Sequence, residues 1–191
     1  MRYLITSDLH GAPGPLEEIL RFYDAHHFDA LLLLGDILYY GPRNSIPPGM
    51  DCRRVVQLLN ARTDHIIAVR GNCDAEVDQM LLDFDIMADY TILADGGRRF
   101  FLTHGHHYHA QALPKGRYHA IIHGHTHLQG FTHAPDGTLI INPGSPTFPK
   151  GDGIPTFATL CDDVVRIHHL DGTLLSSCTL SDSLPSTLTA R

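Results

Sequence analysis

Seven residues of this chain have side chains that bind metal ions and sit where apolar runs stop: Asp8, His10, Asp36, Asn72, His104, His125 and His127. Carboxylate, amide and imidazole donors together suit Mn, Fe, Zn or Ni, whereas an all-oxygen set would suit Mg or Ca. The chain carries 15 histidines against 14 Lys plus Arg, but composition selects nothing by itself. Position does. RYLITS ends at Asp8-Leu9-His10, LLLLG at Asp36, IIAVRG at Asn72, FFLT at His104 and AIIHG at His125-Thr126-His127. A lone His after a strand is ordinarily a turn or hydrogen-bonded residue. Five run ends bearing ligand types in one chain are harder to assign to chance. Open α/β sheets place their sites just past the carboxyl ends of strands, so these five tips can converge.

The elements that must position them follow from periodicity. Arg2–Thr6 is a short β-type run. After Gly14-Pro15, the spacing of Leu16, Ile19, Leu20 and Tyr23 predicts a helix. Residues 29–36 form a continuous apolar run bounded by turn residues, as in a strand buried on both faces. Gly41, Pro42, Pro47 and Pro48 make 40–49 a loop. Val55, Val56, Leu58 and Leu59 predict a helix over Cys52–Asn60, and His65–Val69 reads as another buried strand. Asp74 is a plausible N-cap for a short helix through Leu82. From Tyr90 the texture turns to strands: 91–94, 99–103, 120–123, 130–133, 138–141, 156–161, 164–169 and 174–179. Asp136-Gly137 and Asp171-Gly172 supply turns. The Ser/Thr-rich tail after Ser181 is expected to fray. The layout is α/β, two packed sheets with helices outside, as one domain over residues 1–191.

Bulk properties narrow the partners. A hydrophobic fraction of 43% and a charged fraction of 18% describe an ordinary globular domain. A net charge of -7 argues against stable nucleic-acid or membrane-surface binding, although bound cations would alter the local field. The first residues lack a signal-peptide pattern and no run is long enough to span a bilayer, so a cytoplasmic location is expected. Cys52, Cys73, Cys161 and Cys178 form no CxxC pair and are expected to be thiols.

The ordered segments Asp8-Leu9-His10, Gly35-Asp36, Gly71-Asn72-Cys73-Asp74, His104-Gly105 and Gly124-His125-Thr126-His127 resemble the calcineurin-like metallophosphoesterase superfamily. GDILYYGPRN, AVRGNCDAEVDQMLL, LTHGH, HGHTHL and INPGS are most similar to its small bacterial YfcE-type phosphodiesterase group. The resemblance implies a four-layer αββα sandwich of two mixed β-sheets flanked by helices. It implies two divalent ions, Mn2+ first and Zn, Fe or Ni as alternatives. Asp8, His10 and His127 would hold one ion, Asn72, His104 and His125 the other, with Asp36 bridging. A small phosphodiester would be hydrolysed by a metal-bridging hydroxide; self-association is common in the family.

Cys73 departs from the superfamily, where histidine is usual, although YfcE-type sequences also carry Cys here. A thiol is a poor substitute for a cationic proton donor, which implies reliance on good leaving groups or on another donor. His106 is the candidate for substrate contact, and Asp36, Asn72, Cys73 and His106 form the candidate catalytic set. His107 and His109 are redundant beside seven assigned ligands. His26, His27, His168 and His169 read as solvated, Arg43 as a loop residue more than a phosphate contact, and Asp74 as a support more than a ligand. Asn142-Pro-Gly-Ser145 is read as a turn beside the site. The alternatives are a phosphomonoesterase, or a non-catalytic, metal-bound protein scaffold such as the retromer subunit of the same fold.

Overall fold

Alternation with a period of two sorts the strand residues between two apolar layers. The computed structural model describes residues 1–180, and the tail expected to fray lies outside the described residues. In chain order the strands are β1 (Tyr3–Thr6), β2 (Ala30–Leu33), β3 (Ile66–Ala68), β4 (Tyr90–Asp95), β5 (Arg98–Thr103), β6 (Ala120–Ile122), β7 (Gly130–His133), β8 (Leu139–Asn142), β9 (Thr156–Cys161), β10 (Val164–His169) and β11 (Leu174–Thr179). The first sheet has the order β11-β10-β9-β1-β2-β3 and the second β4-β5-β6-β8-β7. Both are mixed. β1, β2 and β3 run parallel while β9 pairs with β1 antiparallel. In the second sheet β5, β6 and β8 run parallel, flanked by antiparallel β4 and β7.

Tyr3, Ile5, Leu32 and Leu34 of the first sheet meet Phe100, Leu102, Ile122 and Ile141 of the second in the layer between the sheets. The intervening Leu4, Leu31 and Leu33 point the other way, against two helices, α1 (Pro13–His26) and α2 (Cys52–Asn60). Helix α1 buries Leu16, Ile19, Leu20 and Tyr23, the four residues whose spacing predicts it. Asp51 caps α2 by accepting from Arg54 N at 3.0 Å. The two mixed sheets and the helical layer are as expected. Outside the second sheet, Phe101, Ile121 and Ile140 are covered by Tyr108, Ala110, Leu113 and Tyr118 of the segment before β6, which is irregular chain and not helix.

Four local expectations need correction. The short helix α3 spans only Glu76–Gln79. Asp74 is not its cap: Asp78 accepts from Ala75 N at 2.9 Å, and Asp74 is used elsewhere. Strand β3 is half-buried because it forms the sheet edge. His168 is buried, with Nε2 3.0 Å from Thr159 Oγ1, Nδ1 3.1 Å from Gly172 O and its ring stacked on Phe157. A polar ring with two partners is tolerated inside; His26 and His27 are exposed as expected. All four cysteines are free thiols, and no helix among the described residues is long and apolar enough to cross a membrane.

Leu32 is fully buried between the sheets. Leu32→Ala is expected to lower stability by ~2–5 kcal/mol, read from urea unfolding. A loss below ~1 kcal/mol would contradict the packing described, since a cavity there should not collapse freely.

Candidate metal centre

The ladder between β1 and β2 continues past both strands into their loops. Leu34 N donates to Thr6 O, Asp8 N to Gly35 O, His10 N to Asp36 O and Gly11 N to Ile37 O, all at 2.9–3.0 Å. This zipper sets Asp8, His10 and Asp36 side by side. The β3 loop joins the same side, and the approach is so close that a Cβ at Gly71 would overlap Asp36 Oδ1. That contact, and not turn geometry, is why glycine precedes Asn72. Asp74 fastens the loops together. Its Oδ2 accepts from Asp36 N at 2.8 Å and Gly71 N at 2.7 Å, and its Oδ1 from Ile37 N at 2.8 Å.

The second sheet delivers its residues from above. Gly124 N donates to His104 O at 2.8 Å, joining the loops after β5 and β6. His125 N then crosses to Asp8 Oδ2 at 2.9 Å, and a Cβ at Gly124 would overlap Ser7 and Asp8. Asn142 Nδ2 donates to Gly124 O, and Ser145 Oγ donates to Asp8 O at 2.9 Å, so the Asn142–Ser145 turn braces both loops.

Backbone strain concentrates here. Eight non-glycine residues among those described have positive φ, and five of them are Asp8, His10, Asp36, His125 and His127. Each such residue costs on the order of 1–3 kcal/mol and persists only where its surroundings over-determine it.

The side chains are then aimed by the main chain. His10 Nδ1 lies 2.8 Å from Tyr39 O, His104 Nδ1 2.6 Å from Leu34 O and His127 Nδ1 2.7 Å from Phe148 O. A carbonyl only accepts, so each Nδ1 carries the proton and a neutral ring turns its Nε2 lone pair inward. These lone pairs face other acceptors. His10 Nε2 is 3.4 Å from His127 Nε2, which is 3.1 Å from Asp8 Oδ1. His104 Nε2 is 3.1 Å from Asn72 Oδ1, 3.3 Å from His125 Nδ1 and 3.5 Å from Asp36 Oδ1. Asp36 Oδ2 faces the other group, 3.8 Å from His10 Nε2. Asp8 Oδ1 is buried without a hydrogen-bond partner.

Lone pairs converging in a buried space repel unless a proton or a cation lies between them. Protons supply part of this: burial alone would push the Asp8 carboxyl up, yet His127 and His104 hold it at about 2. Burial alone would likewise lower His127, and Asp8 raises it instead. Divalent cations among these donors would satisfy the remaining lone pairs, so the residues fit metal ions. The donor atoms of Asp8, His10 and His127 lie within 4.8 Å of one another, as do those of Asp8, Asp36 and His104.

The structure therefore brings together all seven sequence-predicted donors. Cys73 sits beside them at the rim, its N–H donating to Asp36 Oδ1 at 2.8 Å. Burial and then Asp36 push its thiol up to about 12, so it stays neutral. The main cavity, about 590 Å³, is lined by His10, Asp36, Asn72, His125 and His127, with Cys73, Arg43 and Lys150. His106 does not line it. It faces a neighbouring hollow shared with His123 and His125. Burial and His104 push its ring down to about 4, and its buried Nδ1 has no partner. His107 and His109 stand apart from every donor group. Sequence reasoning missed the carbonyls of Tyr39, Leu34 and Phe148, since any residue supplies a carbonyl.

Asp74→Asn tests the loop clamp. Asn must turn its NH2 toward at least one of three N–H donors, so the loops spread. Mn2+ affinity by calorimetry is expected to fall ~10–100-fold in a folded protein. Unchanged affinity would show that Asp74 does not position the donors.

Residues 1–163 match the Calcineurin-like phosphoesterase superfamily domain. The chain is 38% identical to Phosphodiesterase YfcE of Escherichia coli K12 over 168 residues, 87% of this chain and 91% of that one. It is 29% identical to Phosphodiesterase MJ0936 of Methanocaldococcus jannaschii, covering 84% and 92% of the two chains. The solved structure of the E. coli YfcE phosphoesterase superposes with a TM-score of 0.90 at 36% identity, covering 95% of this chain and all of that one. With the motif residues gathered at one set of strand ends, the chain belongs to the calcineurin-like phosphoesterase superfamily.

Proposed function

We propose that the protein is a metal-dependent phosphodiesterase that works with two divalent ions, Mn2+ foremost. Asp8, His10 and His127 would hold one ion, Asn72, His104 and His125 the other, with Asp36 shared between them. The observation that carries this is the aim of the imidazoles. Three main-chain carbonyls fix the tautomers of His10, His104 and His127 so that all three present Nε2 to the carboxylates. Asp36 faces the first group with Oδ2 and the second with Oδ1, which supports a shared role for it. When bound, such a pair of ions supplies Lewis acidity to the phosphoryl oxygens and lowers the pKa of the attacking water.

The chain's own residues do the rest. The buried loops fix the donors, which leaves little reorganisation for the moment of reaction. Asn72, exposed at the cavity floor, reaches both the donor group and the incoming phosphoryl group. Cys73, neutral at the rim, offers no positive charge to a departing alkoxide. His106 is on the His104–His125 side, with ring centroids 5.4 and 6.2 Å away, and as a neutral ring it can donate one hydrogen bond only to a leaving group that extends into the neighbouring hollow it lines. Activity is therefore weighted toward esters with good leaving groups. The complete donor set favours an enzyme over a scaffold that merely retains metal.

Chelation is expected to abolish hydrolysis of bis(4-nitrophenyl) phosphate, and Mn2+ to restore it, with 4-nitrophenyl phosphate turned over more slowly in parallel. Asp36→Asn should lower rate and metal content together. Full turnover in metal-free protein, or an Asp36→Asn variant with both intact, would contradict the assignment. Faster turnover of the monoester would make the protein a phosphomonoesterase.

A further inference from the structure

Two cationic side chains line the main cavity without an ion-pair partner among the described residues. Arg43 and Lys150 both line it. Several other cations of the described residues are engaged elsewhere. Arg21, Arg54, Arg62 and Arg98 pair with Glu18, Glu17, Asp24 and Asp163, and Arg2 and Arg99 lie over Phe28 and Tyr118. Among the described residues Arg43 and Lys150 form no ion pair. What sets Arg43 and Lys150 apart is their place: on a chain of net charge -7, they are the cations of the described residues that line the cavity beside the donors.

Both are placed by the donor site itself. The loop carrying Arg43 is tied down where Tyr39 O accepts from His10, and Asn44 Nδ2 donates to Tyr40 O at 2.6 Å. The loop-shaping role suggested for Arg43 thus falls to Asn44, which leaves the guanidinium to the cavity. Lys150 is held by its N–H, 3.0 Å from His127 O. Both side chains are exposed at the rim, whereas Asp8, His10, Asp36 and His104 are buried at the floor. A phosphoryl group on the floor would be met by the ions those residues would hold, and a cavity of about 590 Å³ extends beyond it. The rim cations are therefore available to a different part of the substrate.

We propose that Arg43 and Lys150 form a subsite for a second anionic group, a carboxylate or a phosphate, carried on one ester arm. The inference rests on the phosphodiesterase reading and narrows its substrate class to diesters with additional negative charge. An Arg fork and a Lys point charge lining one cavity each suit either oxyanion.

The test uses arms of matched length. Propyl phosphate, 2-carboxyethyl phosphate and 2-phosphonoethyl phosphate are titrated calorimetrically into the Mn2+-loaded protein, and their 4-nitrophenyl diesters are assayed alongside. The charged arms are expected to bind about tenfold or more tightly than propyl, the preference shrinking with salt. The stronger of the two charged arms names the anion. Arg43→Gln and Lys150→Gln should each pull the charged-to-neutral ratio of affinity and of kcat/KM toward one. Equal affinities in the parent protein, or a preference that survives both variants, overturn the subsite. Failure to hydrolyse any of the diesters would instead count against the phosphodiesterase reading, while the affinity ratio still decides the subsite.

Discussion

The Asp8 carboxylate sits where the two sheets meet, and most of the site depends on how its charge is met. One oxygen accepts the His125 N–H from the second sheet, while the other is buried, lies 3.1 Å from His127 Nε2 and has no hydrogen-bond donor. A buried carboxylate left with an unsatisfied oxygen is costly. The surrounding rings do not cure this in their neutral form, because carbonyls take their Nδ1 protons and their lone pairs also point inward. Cations at this point would convert mutual repulsion among acceptors into shared coordination, and would stabilise the loops as well.

The same logic explains why the strain is local. Five donors take up left-handed backbone, a conformation that side chains resist, immediately after strands packed at close to full burial. The strands have little freedom to relax, since Leu32 and Ile5 lie between the sheets while Leu4 and Leu33 lock against the helices. Asp74, Ser145 and Asn142 then join loop to loop through the main chain. Rigid sheets and strained tips together hold the donors in place before any ligand arrives.

Much of this was legible in the sequence because it rests on residue type and period. The alternating and continuous apolar runs marked the strands, and the helical spacing named the buried face of α1 residue by residue. The donors were legible because each ends such a run. What could not be read lies in main-chain atoms and close approaches. The carbonyls that orient His10, His104 and His127 have no residue signature. Asp74 looked like a helix cap because an acidic residue before a helical pattern usually is one, whereas three N–H groups of neighbouring loops compete for it successfully. His168 looked solvated because only tertiary structure reveals Thr159 and Gly172 as its partners. The irregular cover over the second sheet carries its aromatic residues without helical period.

The central claim is that one carboxylate, Asp36, joins two metal positions. Anomalous diffraction from crystals grown with Mn2+ tests it most directly, with wavelengths on either side of the Mn edge. Two anomalous peaks ~3.5–4 Å apart are expected, one among Asp8, His10 and His127, the other among Asn72, His104 and His125, with Asp36 between them. A single fully occupied ion, or ions bound away from Asp36, would contradict the account.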